Sequence, residues 1–350
     1  MSDAIDVARR IFINDEGELR SGWRALAFAF LLIITLTLVS TIVAGFGALI
    51  PPFGYYLFEP KEAEATSPRA LVFYNLNEIV TLASALIASG LSARLLEGRS
   101  FASVGFKLHR GWWRDFALGT LIGAVSLALA VAINGAAGGL VFSIQTTDGA
   151  AVGRNLAILF FFFLMAAAVE EVIFRGFAFQ TFIHNIGPVP AVAITALLFG
   201  LAHIPNTANI SSSTKAVAIF NTVLAGVWLG IAYLMTRSLW LATALHYSWN
   251  LTMAFVFGLP VSGIVTFDRL AWLHTNIASP QWLSGGSYGP EGGAAATVAL
   301  IISTLIIWKG SFFSPSEEML NEIKHGKRIQ QSLSIRPRDE NQTPERDTLR

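Results

Sequence analysis

The chain has 350 residues, of which 53% are hydrophobic and only 13% charged, about half the charged fraction of ordinary soluble domains. With a positive mean hydropathy it cannot cover itself with polar surface in water, so a multi-pass membrane protein is the expectation. The net charge of +1 and the absence of cysteine argue against nucleic acid as a partner and exclude disulfides, thiolate zinc sites and cysteine nucleophiles.

A hydrocarbon core needs about 20 apolar residues per helix. In chain order, segments 24–50, 70–94, 115–142, 155–183, 189–206, 216–236, 238–258 and 294–309 qualify, giving an all-α transmembrane helix bundle of about eight spans. The first run is too long and too late for a cleavable signal peptide and is expected to be retained. The apolar runs are continuous rather than alternating, which argues against a β-barrel, and no internal repeat is visible. With eight spans, eighteen of the 24 Lys and Arg fall on the side of both termini and five on the other. That bias puts both termini in the cytoplasm and the chain in the cell (inner) membrane.

Four regions follow: 1–150 with three spans, a core at 151–255, a long loop and last span at 256–310, and a charged, Ser- and Gln-rich tail at 311–350 expected to be disordered. The loop 259–293 carries Trp272, Trp282 and the run GGSYGPEGG, expected to be flexible. Between the second and third spans, Phe106, Trp112 and Trp113 among basic residues read as an interfacial anchor.

Charge inside a bilayer is costly and usually faces the bundle interior. The short inventory is Glu78, Glu170, Glu171, Arg175, His203 and His246, with Asn250 beside them. Glu78 reads as an interhelical polar contact, and His109 and His184, at span ends, as interfacial. Glu171 and Arg175 are four apart in the order that suits a helical ion pair. Glu170 is rotated by about 100° and faces elsewhere. His246 and Asn250 share one helix face, and His203 closes the fifth span before Pro205. Singly, each feature suits a structural polar contact. Together they offer a carboxylate base for water, imidazoles to hold that water, and donors for an oxyanion. Glu170, His203 and His246 could instead ligate zinc with one position left for water, although no HExxH pair is present. The one GxSxG string, Gly285–Gly289, falls in the loop outside the spans, and the aspartates also lie outside them apart from Asp115 at the edge of the third.

EEVIFR at 170–175, FGLAH at 199–203 and HYSWN at 246–250 stand in order on successive helices. This resembles the three-motif pattern of the CAAX-processing and bacteriocin-processing (CPBP, or Abi) family of intramembrane proteases, over roughly residues 150–255. The resemblance implies an intramembrane endopeptidase acting on protein or peptide substrates in or at the bilayer. Glu170 would activate water, His203 would share it, and His246 and Asn250 would stabilise the oxyanion. Glu171 and Arg175 would orient the site, and Phe199 would shape its wall. Metal use in that family is left open, with tightly bound zinc the less favoured option here. The alternatives are a non-catalytic self-immunity or scaffold protein, and a proton-coupled transporter, which would predict paired broken helices in related halves.

Overall fold

The computed structural model describes residues 11–14, 17–58, 66–137, 139–278 and 280–322. The expected disorder of the tail beyond 322, and the charges at Arg9, Arg10 and Lys61, lie outside these residues. Helices occupy all eight expected places: α1 (Ser21–Leu49), α3 (Pro68–Glu97), α4 (Trp112–Ala136), α5 (Gly149–Arg175) continued by α6 (Phe177–Ile186), α7 (Pro188–Ala202), α8 (Ser212–Thr236), α9 (Leu239–Leu251) and α11 (Ala294–Lys309). Short helices α2 (Pro51–Leu57) and α10 (Gln281–Ser284) lie in the connections between them. Among the described residues, five helices are long and apolar enough to cross a membrane, the α5–α6 pair taken as one; α7 and α11 are shorter apolar helices. On α1, Leu26, Phe30, Ile33 and Phe46 are each more than half exposed, an apolar surface that suits lipid rather than water.

Local chemistry sets the helix ends. Ser67, Asp148, Ser211 and Ser238 are N-caps whose side chains accept from backbone N–H groups of α3, α5, α8 and α9. The fourth expected span, 155–183, is not one straight helix. At Gly176 the backbone turns (ψ −123°), and a Cβ there would sit 2.2 Å from the Val172 carbonyl oxygen, so only glycine allows this break. Gly119 and Gly123 stand four apart on α4, where an added Cβ on Gly123 would meet the Leu245 carbonyl oxygen at 2.5 Å. This small-residue pair lets α4 approach α9 closely. The buried core then gathers Leu127, Leu159, Trp228, Leu229 and Leu245 around α9.

Several expectations are corrected. The third span ends at Ala136, short of 142, because Leu140–Ile144 forms strand β1, paired antiparallel with β2 (Leu273–Ile277). Segment 259–293 is folded, not a flexible loop. Tyr288 in GGSYGPEGG is fully buried, and Gly285, Gly286 and Gly289 supply the positive φ angles of its turns. The start of the tail is also ordered: Phe313 and Met319 are buried, 317–322 is helical, and Glu322 pairs with Lys107 at 2.6 Å. Nor do Phe106 and Trp112 act only as an interfacial anchor, since both pack on Trp240 at 5.0 and 4.7 Å; Trp113 remains exposed. His109 is buried with Nδ1 near the Arg110 carbonyl at 3.1 Å, whereas His184 is exposed. Arg24 and Arg99 are buried and bond to Glu97 at 3.1 and 2.7 Å, with Thr181 of α6 donating to the same carboxylate at 2.7 Å. This tie fixes α6 against α1 and α3.

Candidate active site

The ion pair on α5 comes first. Glu171 and Arg175 are both fully buried and meet at 3.1 Å. Arg175 Nη2 also donates to the Gly226 carbonyl of α8 at 3.0 Å, and the guanidinium lies 4.6 Å from the Phe199 ring centroid. A carboxylate, a carbonyl and an aromatic face therefore surround one cation, which offsets the cost of holding it in an apolar core.

Glu171 does more than neutralise Arg175. Its Oε1 lies 3.0 Å from Nδ1 of His246, so this nitrogen donates to the carboxylate. On His203, Nδ1 lies 2.8 Å from the Phe199 carbonyl oxygen, which can only accept, so Nδ1 carries the proton there too. In the neutral tautomers these bonds dictate, both Nε2 atoms keep a free lone pair. Both face Glu170: His203 Nε2 is 3.8 Å and His246 Nε2 is 3.9 Å from the same oxygen, Oε2. That oxygen is buried and has no hydrogen-bond partner. Three acceptors converging on a gap of this width require something that donates between them. A water about 2.8 Å from two of them spans the distance.

Phe199 stands between the imidazoles, 4.7 Å from the His203 ring and 6.0 Å from that of His246. His203 is the C-cap of α7. The short α7, 15 residues, and the break at Gly176 bring His203 to the level of Glu170. A straight fifth span reaching the far membrane face would have left it remote. Asn250 follows His246 by one turn on α9, and the helix then changes to a π turn over Thr252–Val256, a distortion often found at functional sites.

Glu170, Phe199, His203, His246 and Asn250 line one cavity of about 190 Å³. Glu171 and Arg175 lie behind this wall, in contact with His246 and Phe199. Glu78 of α3 lines the same cavity, on its wall and not in a separate interhelical contact, near enough to Glu170 for their charges to interact. Asn206, Asn221, Ser262 and Glu291 also line it and were missed in the sequence. Asn221, a polar residue mid-helix in an apolar segment, could have been flagged. Glu291 carries no such signal, because its turns are set by glycine rather than by a repeat.

The spacing of the donor atoms differs from that of a zinc site. Two ligand atoms each about 2.0–2.1 Å from a tetrahedral ion lie about 3.3 Å apart, whereas the separations here are 3.8 and 3.9 Å. Among the described residues no group of three His, Cys, Asp or Glu is spaced to hold a metal ion. As they stand, the side chains do not fit one.

Residues 152–252 match the family model of the type II CAAX prenyl endopeptidases, Rce1-like. All seven motif residues fall inside that match, while Glu78, Ser262 and Glu291 fall outside it. No curated protein and no solved structure matches the chain.

Proposed function

We propose that this multi-pass membrane protein, whose residues 152–252 form an Rce1-like type II CAAX prenyl endopeptidase domain, is an intramembrane endopeptidase that hydrolyses peptide bonds with a water activated by Glu170. The observation that carries this reading is the unpartnered Glu170 Oε2 facing two imidazole Nε2 atoms at 3.8 and 3.9 Å inside the helix bundle.

In this reading Glu170 accepts a proton from the bound water while His203 Nε2 holds the same water. The hydroxide adds to the peptide carbonyl carbon and the carbonyl π pair moves to oxygen. Asn250 donates to that oxyanion, and His246 donates from Nε2 when it carries a second proton, which the Glu171 carboxylate at Nδ1 stabilises. Collapse of the tetrahedral species breaks the C–N bond. The proton on Glu170 passes to the leaving nitrogen, giving an amine and a carboxylic acid, which releases its remaining proton to solvent. Arg175 holds Glu171, and through it the His246 ring, in place. The apolar surroundings strengthen each of these interactions relative to water. No step is routed through a metal. The substrate class is a protein or peptide in or at the bilayer, as the family name suggests. A scaffold or self-immunity role, or a proton-coupled carrier, gives no reason for two imidazoles oriented by separate acceptors onto one carboxylate oxygen.

The test is cleavage of a quenched peptide library by the purified protein in detergent, with a chelator arm. Cleavage by wild type that is lost in His203→Ala and retained in chelator is the expected result. Loss of cleavage in chelator with recovery on adding zinc would overturn the role given to Glu170.

A further inference from the structure

The inference below rests on the hydrolytic reading. The catalytic cavity, about 190 Å³, is smaller than the roughly 300–1,000 Å³ of sites that enclose a ligand. A peptide whose scissile bond reaches Glu170 must therefore extend beyond it. A second cavity of about 550 Å³ adjoins it, and Val261 and Ile264 line both. One turn, Val261–Ile264, is all that these two residues bracket. The larger cavity lies wholly outside the matched domain. Its lining mixes Leu259, Val265 and Phe267 with His274, Thr275 and Gln281, a combination suited to apolar side chains and to backbone hydrogen bonding of a polypeptide.

The dividing turn is held in a way that can be released. Val261 and Ile264 exchange backbone hydrogen bonds at 3.1 and 2.8 Å. Between them Ser262 has φ +48°, a left-handed conformation that a non-glycine residue keeps only when its surroundings hold it. On Ser262 itself the main hold is one carboxylate. Glu291 Oε2 accepts from the Ser262 backbone N–H and from its hydroxyl, each at 2.7 Å, and Oε1 accepts from Trp249 Nε1 at 3.1 Å. Gly263 N–H donates to the Tyr288 carbonyl at 2.9 Å. Trp249 directly precedes Asn250, so the same carboxylate ties the turn to the helix that presents His246 and Asn250.

We propose that the larger cavity is the subsite for the polypeptide flanking the scissile bond, and that the turn Val261–Ile264 is a gate between it and Glu170, latched by Glu291. With the latch in place the catalytic cavity is closed on this side. When Glu291 lets go, the strained Ser262 relaxes and the two cavities join into one site long enough for an extended peptide.

The chain has no cysteine, so a single introduced thiol is a unique reporter. The full chain is purified in detergent carrying either Ala225→Cys, in the catalytic cavity, or Ser287→Cys, in the larger one, and modified with a small cationic methanethiosulfonate. Ser287→Cys is expected to react fast in every background. Ala225→Cys is expected to react slowly with Glu291 present and at least about tenfold faster with Glu291→Ala, which removes charge-assisted hydrogen bonds. Ser262→Ala, which deletes one bond to the latch, should give an intermediate rate and serves if Glu291→Ala does not fold. A bulky maleimide on Ser287→Cys should abolish cleavage of long peptides. Equal Ala225→Cys rates with Glu291, Glu291→Ala and Ser262→Ala in folded protein would overturn the gate. Unchanged peptide cleavage after the Ser287→Cys adduct would overturn the subsite. The thiol rates need no enzymatic turnover, so failure of the hydrolytic reading would show separately, as wild type that cuts nothing while the gate still responds.

Discussion

Replacing Arg175 with methionine isolates the most buried ion pair among the described residues. The substitution keeps an unbranched apolar stem of similar reach and removes the cation. Glu171, also fully buried, would lose its 3.1 Å partner, and the Gly226 carbonyl would lose its donor. Removing one member of a buried pair costs about 3–5 kcal/mol, because the remaining charge is left uncompensated. Here His246 Nδ1 still donates to Glu171 at 3.0 Å, so the lower end, about 3 kcal/mol, is expected. The double variant Glu171→Gln/Arg175→Met carries no stranded charge and should recover about 2 kcal/mol of that loss, a coupling within the range of contacting residues. Reversible unfolding in mixed micelles with increasing sodium dodecyl sulfate, followed by circular dichroism, measures both. A single variant costing under about 1 kcal/mol, with a double variant no better, would refute a pair that matters through buried charge.

Three further outcomes are expected. Asn250→Ala should lower kcat about 10²–10³-fold with little change in KM, the usual loss of one oxyanion donor; steady-state kinetics on a cleaved peptide decides it, and a purely KM effect would assign Asn250 to binding. Gly123→Val places a branched side chain against the Leu245 carbonyl and Ser248 Oγ, which even a bare Cβ would meet at 2.5 and 2.2 Å. It should cost about 1–3 kcal/mol in the same unfolding assay and lower activity by moving His246. The Lys107–Glu322 bond, 2.6 Å and partly exposed, contributes about 1 kcal/mol or less and weakens with salt. Lys107→Ala should therefore speed proteolysis near 310–322 at low salt, with the difference from wild type shrinking in high salt.

How much could be read in advance depended on whether a feature was local in the chain. Helical spacing alone separated Glu171–Arg175 from Glu170, and the apolar runs located every membrane-length helix, because both signals repeat within one segment. The sequence could not show that Glu171 serves two partners, since its bond to His246 joins residues 75 apart. The level of His203 depends on a single glycine, Gly176, which breaks the fourth span, and no periodicity predicts the direction the chain takes afterwards. Gly-rich 285–293 looked flexible because composition reports conformational freedom. It does not report what the freedom is used for, here a series of tight turns that bury Tyr288 and present Glu291. Ser262 was invisible, because a strained φ leaves no mark on residue type. Glu78 was visible as a charge in a span, yet its place on the cavity wall depends on how α3 packs on α5.

The central claim is that Glu170 activates the attacking water, and Glu170→Gln tests it most directly. The amide is nearly isosteric, keeps an oxygen toward His203 and His246, and cannot take a proton from water. Single-turnover cleavage of a peptide that wild type cuts, measured with folding checked by thermal unfolding, should fall by at least about 10²–10⁴-fold, the scale of general-base catalysis. Cleavage by folded Glu170→Gln within about threefold of wild type, far short of that scale, would contradict the account.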